Sequence, residues 1–279
     1  CSSETIKTDR AVLRQFQRFF DGDPDVGTGI SPDDVRQYIR YHQERGLSSH
    51  TVKRHYATIS AMYTWLISPD VDLAESDPTD AVPVPKLAQK KMPVYSQEDI
   101  EALLAAARES QNPRRDKSLV LSFLDMCCRC SELTDLKVPD VHWKTGKVKV
   151  TGKGSKTRFV NLGQRALACL YIYTREERPE PLEGNYVYLT QQGRKMSRST
   201  MRHAIVRLGE RAGVHAYPQK FRHTGLLERL RGGMDLMTLR DYAGHTEVAV
   251  TEKYLSQLNQ EDVQRVAKKT SVADRWGLG

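Results

Sequence analysis

The segment Gly146–Leu162 reads GKVKVTGKGSKTRFVNL, and its pattern differs from that of most of the chain. Two short stretches in which apolar and polar residues alternate flank a glycine-rich turn. Alternation of this kind is typical of half-buried strands, and the turn between the two stretches predicts a β-hairpin. The segment therefore predicts a small β-sheet within a chain whose other patterns indicate helices.

On both sides of this hairpin the chain has helical patterns. Upstream, SQEDIEALLAAARES predicts a capped amphipathic helix, and RRDKSLVLSFLDMCCRCSELTDL predicts a buried pair of helices. From Gly163 onward the sequence predicts mainly helices joined by polar turns. The hairpin and these helices together predict a domain of mixed α/β type.

The first third of the chain predicts three helices. From Thr5, apolar residues recur mostly at intervals of three and four, which is typical of one buried helix face. DGDPDVGTG interrupts the pattern, and SPDDVRQYI restarts it with Ser31 as N-cap, Pro32 at the first helical position and Asp34 in a capping box. A third helix follows GLSSH. The residues predicted to face inward are Ile6, Val12, Leu13, Phe16, Phe19 and Phe20 in the first helix and Val52, Tyr56, Ile59, Tyr63 and Leu66 in the third.

The segment between Ser68 and Pro93 predicts a domain boundary. It holds five prolines and two adjacent lysines, a composition typical of an interdomain linker. A length of 279 residues also fits about two domains. We therefore predict a helical domain over residues 1–70, a linker over residues 71–93 and a second domain over residues 94–279. The predicted fold class is mainly α with a small β-sheet in the second domain.

The composition favours a polyanionic partner without requiring one. Lysine and arginine number 43 against 35 aspartate and glutamate residues, which gives a net charge of +8 and a pI near 9.2. Many basic proteins bind no nucleic acid, so charge alone does not decide the partner. The chain contains no apolar run of about 18 residues, which predicts no membrane span, and CSSETIKTDR lacks the apolar centre of a signal peptide.

Five cysteines are present, three of them in CCRC at residues 127–130. A zinc site would need a second Cys or His pair at suitable spacing, and the sequence contains none. The cluster lies in the apolar run LVLSFLDMCCRC, where cysteine packs as a small hydrophobic residue. We therefore predict buried reduced thiols rather than a metal site, as expected for a cytosolic protein.

Three basic residues are candidates for binding a phosphate. Lys153 lies at the predicted hairpin tip, but GKGSK lacks the spacing and setting of a P-loop, and a lone hairpin lysine is usually a charged turn. Arg222, beside His223 at a predicted helix start, could bind a phosphate with its fork of donors or form a surface ion pair. Arg129 lies among apolar residues and cysteines, so it should be paired or functional, and Glu132 is its expected partner.

The order of five motifs decides between these alternatives. They are Arg129 in CCRCSEL, Lys153 in TGKGSKTR, Arg222 in KFRHTG, His245 in AGH and Tyr254 nine residues later. In this order they closely resemble the motifs of the tyrosine recombinase (phage-integrase) family. LSSHTVKRHYATISAMYTWL resembles the family's helical DNA-clamping N-terminal domain, and YSQEDIEALLAAA resembles the opening of its catalytic domain. Alone, Tyr254 would be interpreted as a packing residue; with the other motifs, the resemblance implies a site-specific DNA recombinase.

The resemblance implies a role for each motif. Tyr254 would attack the scissile phosphorus, giving a 3′-phosphotyrosyl DNA and a free 5′-hydroxyl, so that rejoining needs no nucleotide cofactor. Arg129 and Arg222 would hold the non-bridging oxygens and neutralise transition-state charge, which makes a metal ion unnecessary. Lys153 would protonate the departing 5′-oxygen. His245 would donate a hydrogen bond to a phosphate oxygen.

Two supporting positions follow from the same resemblance. Glu132 would orient the first arginine. Gln219 stands three residues before Arg222, where the family normally has histidine or sometimes lysine, and an amide cannot carry a proton. A tyrosine has an ordinary pKa of about 10, so help with its deprotonation is expected. The arginines and a water could suffice, Gln219 could position the phosphate, or it could mark a slow or inactive copy. Lys220 or His223 could substitute for the missing proton acceptor, although we first assign His223 a packing role.

The resemblance also implies the partners. Double-stranded DNA with specific recombination sites would be clamped between a helical core-binding domain and the mixed α/β catalytic domain. Four protomers would exchange strands through a Holliday junction, in the cytoplasm at the nucleoid. The tail after Tyr254 has apolar positions that could dock on a neighbouring protomer or on its own domain. Further candidate DNA contacts, each of which could be a solvated charge, are Lys53, Arg54, Lys90, Lys91, Lys156, Arg158, Arg194 and Arg198.

Two other functions stay open at this point. A type IB topoisomerase shares the tyrosine chemistry and would relax supercoils as a monomer. A catalytically silent DNA-binding protein descended from a recombinase is the second alternative, for which Gln219 is the reason.

Overall fold

Three helices form the first part of the chain, and the second begins where its capping residues predict. The helices are α1 (Ser3–Phe19), α2 (Pro32–Glu44) and α3 (Ser49–Leu66). The Ser31 hydroxyl accepts a hydrogen bond from the backbone N–H of Asp34, whose carboxylate accepts one from the N–H of Ser31. This is the predicted capping box, which satisfies backbone donors that a helix N-terminus leaves free. Ser48 caps α3 through the N–H of Thr51.

The structure, a computed structural model, describes residues 3–20, 29–86 and 92–277. The chain divides into two units, Cys1–Lys90 and Lys91–Gly279. The first unit therefore extends beyond the boundary predicted at residue 70. The physical reason lies in the segment predicted as a linker, since Ala74 and Val82 are buried in the core of the first unit. The Tyr56 hydroxyl also lies 3.1 Å from the carbonyl oxygen of Val82.

The core of the first unit is aromatic at its centre. Phe16, Tyr38 and Tyr63 are almost completely buried, as are Val35, Val52 and Ile59. Tyr38 also pairs with a buried histidine, since its hydroxyl lies 2.8 Å from Nδ1 of His55. The prediction that Ile6 faces inward is wrong, because this side chain is 49% exposed near the beginning of α1.

The second unit carries the remaining elements. Its helices are α4 (Gln97–Arg108), α5 (Pro113–Met126), α6 (Cys130–Thr134), α7 (Gln164–Glu176), α8 (Arg198–Ala212), α9 (Pro218–Arg231), α10 (Leu236–Ala243), α11 (Val248–Glu252), α12 (Gln260–Lys269) and α13 (Val272–Trp276). Its strands are β1 (Val141–His142), β2 (Lys147–Thr151) and β3 (Thr157–Asn161). The mainly helical fold with a small sheet is thus confirmed. Across the ranges that the structure describes, no helix is long and apolar enough to cross a membrane.

The predicted hairpin is present, and a short third strand joins it. The sheet has the order β1-β2-β3, with both neighbouring pairs antiparallel. Val148 pairs with Val160, and Val150 pairs with Arg158. Residues directly opposite each other share one face of a sheet, and the three valines are buried in the main core. Arg158 is therefore directed to the core side of the sheet.

The second unit contains a second apolar cluster besides its main core. It joins α9 and α10 to the segment after α11, with Leu226, Leu227, Leu239 and Tyr254 buried together. Cys127 belongs to the same cluster, whereas Cys128 belongs to the main core. Both are buried, which confirms the burial predicted for these two cysteines.

Helices α5 and α9 approach closely at one glycine. A Cβ added to Gly225 would lie 2.2 Å from the carbonyl oxygen of Leu124 and 2.5 Å from Sγ of Cys127. Both distances are too short for a real contact, and the backbone atom has little freedom to move. Gly225 is thus required for the approach of the helix that carries Arg222.

We expect Gly225→Ala to lower the free energy of unfolding by about 1–3 kcal/mol, because the new methyl group overpacks the α5–α9 contact. Chemical denaturation followed by circular dichroism measures the change. The control is Gly232→Ala at the end of α9, where φ is −72° and the added Cβ would lie no closer than 3.3 Å to its neighbours. We expect the control to change stability by less than about 1 kcal/mol. Equal effects in the two variants would contradict the packing argument.

Candidate active site

Three arginines converge on the C-terminal end of α10. This helix ends at Gly244, which adopts a left-handed conformation with φ of 65°. The last carbonyl groups of a helix lack partners within the helix and carry partial negative charge. The donors are Arg158 Nε to Tyr242 at 2.8 Å, Arg222 Nη2 to Ala243 at 2.7 Å and Arg129 Nη2 to Gly244 at 3.3 Å. Residues from three separate elements thus meet directly before His245.

Glu132 holds Arg129 in place through two hydrogen bonds. Arg129 is the N-cap residue of α6, and its backbone N–H donates to Oε2 of Glu132 at 2.7 Å. Its Nη1 donates to Oε1 of the same carboxylate at 3.1 Å. The Arg129 side chain is 45% exposed, whereas that of Glu132 is 2% exposed. The contact predicted from the spacing is present, and it leaves Arg129 accessible to a ligand.

The Glu132 carboxylate is ionised although it is buried. Burial alone would raise its pKa, but hydrogen bonds from Arg158 and from the Arg129 backbone outweigh burial and lower the pKa. Two guanidinium groups therefore share one buried negative charge. A charge-assisted network of this kind fixes the geometry of its members.

The structure corrects the interpretation of Arg158 as a DNA contact. Its side chain is only 13% exposed, and it forms a two-pronged ion pair with Glu132, with both N–O distances 2.9 Å. Its third nitrogen, Nε, donates to the carbonyl oxygen of Tyr242. The physical reason is the sheet register, which places Arg158 opposite the buried Val150. Arg158 lies two positions before the buried Val160 on the same strand, and this spacing in the sequence could have indicated that Arg158 faces the core.

Arg222 lies beneath the surface of the site. It is 1% exposed, and its Nη1 donates to the carbonyl oxygen of Cys127 at 2.7 Å. Cys127 ends α5 in a left-handed conformation with φ of 48°. Burial, followed by repulsion from Arg129, lowers the pKa of Arg222. A guanidinium has five N–H donors. Among the described contacts of Arg222, the two carbonyl groups use two of these donors, which leaves three for a further acceptor.

His245 is held as a neutral imidazole beside the arginines. Its Nδ1 lies 2.9 Å from the hydroxyl of the buried Thr251 on α11. Burial, then repulsion from Arg222 and Arg129, lowers the pKa of His245 to about 4. When Nδ1 accepts the threonine hydroxyl, the neutral tautomer carries its proton on Nε2. His245 can then donate a hydrogen bond from Nε2 to an anion.

Tyr254 is buried and contacts His223. The tyrosine is 2% exposed, and its hydroxyl lies 2.9 Å from Nδ1 of His223. Burial raises the pKa of Tyr254 to about 12, although Arg222 acts in the opposite direction. Burial and then Arg222 lower the pKa of His223. A protonated phenol therefore faces a neutral imidazole. The packing role that we first assigned to His223 did not predict this hydrogen bond.

Two predicted site residues, Gln219 and Lys153, lie on a helix start and on the hairpin turn. Gln219 is exposed on the first turn of α9, three residues before Arg222. Lys153 begins the short 3₁₀ turn Lys153–Ser155 between β2 and β3, and its side chain lies outside the described part of the chain. Lys220, the other predicted substitute, contacts the Tyr95 ring at 4.2 Å and lies 3.8 Å from Asp99.

Most of the remaining candidate DNA contacts are at the surface. The exposed ones are Lys53, Arg54, Lys156, Arg194 and Arg198. Arg54 also lies 3.3 Å from Asp9 in an ion pair that is itself partly exposed. Lys90 and Lys91 lie outside the described residues. Within the described ranges, no group of three or more His, Cys, Asp or Glu side chains is arranged to hold a metal ion.

Comparison with known proteins gives consistent matches over almost the whole chain. A model of the phage integrase family matches residues 93–261, and a model of the phage integrase N-terminal SAM-like domain matches residues 1–73. The tyrosine recombinase XerD of Pseudomonas aeruginosa is 31% identical over 260 residues, covering 91% of this chain and 86% of the relative.

Solved structures show the same fold. The Tn1549 transposon integrase in complex with a circular intermediate DNA superposes with a TM-score of 0.78 at 15% identity, covering 97% of this chain and 95% of that chain. The XerH site-specific recombinase in a post-cleavage complex with a palindromic difH substrate has a TM-score of 0.74 at 17% identity. That match covers 97% of this chain and 80% of the XerH chain.

Proposed function

The chain belongs to the phage integrase family, and we propose that Tyr254 is the nucleophile with which this tyrosine recombinase cleaves DNA. The enzyme is a site-specific DNA recombinase that cuts and rejoins DNA strands. One observation carries the assignment of the site. Arg129 and Arg222 both bind the end of α10 directly before His245, and the Tyr254 hydroxyl lies 2.9 Å from His223, the residue after Arg222.

The covalent step uses the Tyr254 hydroxyl. Its oxygen forms a bond to the scissile phosphorus, and the bond from phosphorus to the 5′-oxygen breaks. The products are a 3′-phosphotyrosyl strand and a 5′-hydroxyl strand, and the new diester keeps the energy needed for rejoining. Attack by a 5′-hydroxyl of the partner duplex then releases the tyrosine and completes strand exchange.

Arg129 and Arg222 bind the non-bridging oxygens in this proposal. Arg129 is accessible, and Arg222 has N–H donors beyond the two that bind carbonyl groups. Positive groups held in place before the reaction stabilise the charge that develops on the phosphate. His245 donates from Nε2 to a phosphate oxygen, while Glu132 orients Arg129.

Two further residues complete the proposed machinery. Lys153 protonates the departing 5′-oxygen, a role suited to a lysine on the hairpin turn. Gln219 positions the phosphate, since its amide can donate a hydrogen bond from the first turn of α9. Because Gln219 stands where the family normally has histidine or lysine, this position provides no acceptor for the proton of Tyr254.

We assign that acceptor role to His223. With a pKa of about 12, only about one Tyr254 in 10⁴ is ionised at pH 8. His223 is the group at hydrogen-bond distance from the hydroxyl, and its lowered pKa keeps it neutral and able to accept. The imidazole thus replaces the proton acceptor that Gln219 cannot provide.

We expect His223→Ala to slow DNA cleavage about 10²-fold, because a positioned proton acceptor contributes at least that much. The measurement is the rate of covalent adduct formation at saturating DNA. The wild-type rate should fall as pH drops through the lowered pKa of His223, because a protonated imidazole cannot accept. His223→Ala should lack this acidic limb.

The matched control for this prediction is Lys220→Ala on the same helix. Lys220 is engaged with Tyr95 and Asp99, so its loss should leave the rate and the pH profile near those of the wild type. A His223→Ala enzyme with wild-type rate and pH dependence would exclude the acceptor role.

We propose that the two units correspond to the two domains of the family. The first unit is the helical core-binding domain, and the second is the catalytic domain. DNA is the partner of the recombinase, and exposed cations on both units would contact the duplex backbone. Affinity should then fall steeply with salt. The natural place of action is the nucleoid in the cytoplasm, because the substrate is found there.

We further propose a homotetramer on two DNA sites, with exchange through a Holliday junction. The C-terminal tail has exposed apolar side chains that a neighbouring protomer would cover, including Leu255, Val263 and Trp276. The tail also contacts its own unit, since Asp262 on α12 accepts from Nε of Arg231 at 3.2 Å. Docking on the neighbour would therefore leave α12 anchored to its own unit.

A plasmid carrying two copies of the enzyme's target site tests the function as a whole. A recombinase deletes or inverts the segment between the sites, with products that depend on site orientation. The alternative of a type IB topoisomerase predicts relaxation of the plasmid without rearrangement and without a need for paired sites. A silent DNA-binding descendant predicts neither product.

A further inference from the structure

Arg158 connects three parts of the proposed site. Its guanidinium binds both carboxylate oxygens of Glu132 and the carbonyl oxygen of Tyr242. The first contact leads to Arg129, because the same carboxylate holds that residue. The second contact leads to the end of α10, which directly precedes His245. The contact with Tyr242 joins residues that lie 84 positions apart in the chain.

Gly244 provides an independent sign that the Arg158 side chain fits against this helix end. A Cβ added to Gly244 would lie 2.9 Å from Nη1 of Arg158 and 3.2 Å from its Cδ and Cζ atoms. The guanidinium therefore lies against the glycine backbone, and a side chain at this position would have to displace it. Gly244 also gives its carbonyl oxygen to Arg129. Arg158 and Arg129 thus both contact the residue that directly precedes His245.

The hairpin turn abuts the same ion pair. A Cβ added to Gly152 would lie 3.1 Å from Oε1 of Glu132 and 3.9 Å from Nη1 of Arg158. Gly152 directly precedes Lys153, and its N–H donates to the carbonyl oxygen of Lys156 at 2.8 Å. The backbone directly before Lys153, the proposed general acid, therefore lies against the Arg158–Glu132 ion pair.

We infer that Arg158 is a positioning residue that holds Arg129, the Lys153 turn and His245 in one geometry. The inference rests on the proposed function for the roles of those three residues. A planar fork is required, because one side chain must reach two carboxylate oxygens and a carbonyl oxygen at once. By sharing the charge of Glu132, Arg158 also leaves the exposed guanidinium of Arg129 available for phosphate.

Arg158→Lys tests this role because lysine keeps the positive charge but lacks the fork. Methionine would instead leave the buried Glu132 carboxylate with Arg129 as its one remaining cationic partner among the contacts described, which endangers folding. At saturating DNA we expect adduct formation to slow about 10²-fold, the loss typical of catalytic groups displaced by about 1 Å. DNA affinity and its salt dependence should stay near the wild-type values. The probe is the duplex recovered by covalent capture from nicked genomic fragments of the source organism.

Lys156→Ala is the matched control on the same hairpin. Lys156 is exposed and is a proposed backbone contact, so its loss should weaken binding and reduce the salt slope by about 1. If Arg158 were a DNA contact, Arg158→Lys would preserve cleavage, and Arg158→Gln would reduce the salt slope in the same way. Either result would overturn the inference.

Hydrogen exchange gives a second readout that needs no activity. We expect Arg158→Lys to speed exchange of the backbone amides of Gly152, Gly244 and His245, while the amides of α4 and α5 keep their protection. Should lysine not be tolerated, Arg158→Gln serves for the same comparison. Unchanged exchange in a folded variant would contradict the positioning role. A wild-type chain that forms no adduct would instead reject the proposed function, and the exchange result would still decide whether Arg158 holds these segments.

Discussion

Tyr254→Phe should abolish the covalent link between protein and DNA while leaving DNA binding intact. The change removes the protein oxygen that the mechanism joins to phosphorus in the cleavage step. Its ring would stay in the buried cluster with Leu226 and Leu239, because phenylalanine has nearly the same shape. The hydrogen bond to His223 would be lost, at a cost to stability of about 1 kcal/mol.

The measurement is adduct formation on a nicked duplex, separated from free DNA under denaturing conditions. Tyr188→Phe is the matched control, because its hydroxyl is equally buried and bonds to Ser118 and Ser122 in the main core. That control should lose stability on the same scale and keep the adduct. An adduct of wild-type yield with Tyr254→Phe would show that another residue is the nucleophile.

Arg222→Gln is the second large effect, and we expect cleavage to fall about 10³-fold at saturating DNA, as when a stabilising donor is removed from a transition state. The substitution removes the positive charge next to the phosphate. It also deprives the carbonyl oxygens of Cys127 and Ala243 of their donors. Buried acceptors without donors should reduce the free energy of unfolding by about 1–3 kcal/mol.

Arg229→Gln is the control that separates the loss of stability from the loss of the charge at the phosphate. Arg229 lies on the same helix, stacks 4.4 Å from the Tyr242 ring and donates to the carbonyl oxygen of Asp125. Its loss should destabilise the fold comparably but leave the cleavage rate of the folded enzyme near that of the wild type. If both variants lose cleavage in proportion to stability, the role of Arg222 at the phosphate is contradicted.

Local patterns predicted the elements and one contact of the site. The capping box at Ser31 and the alternation around Lys153 depend only on neighbours in the sequence, and both elements are present. The Arg129–Glu132 pair could likewise be predicted, since its partners lie three positions apart at a helix start. Such features need no knowledge of the tertiary structure.

Contacts between distant segments could not be predicted in this way. Arg158 binds Tyr242, and His223 approaches Tyr254, only because α9, α10 and the sheet pack together. Strand β1 has only two residues, too few for alternation to be recognised. The burial of Val82 in the core of the first unit could not be predicted either, because the proline-rich composition around it is typical of a linker.

Mapping the DNA–protein linkage by mass spectrometry tests the central claim most directly. The wild-type enzyme is trapped on a nicked duplex and digested with protease and nuclease, and the modified peptide is sequenced. We predict a nucleotide joined through its 3′-phosphate to the hydroxyl of Tyr254, with a 5′-hydroxyl on the other DNA end. A link to any other residue, or a link through a 5′-phosphate, would contradict the account.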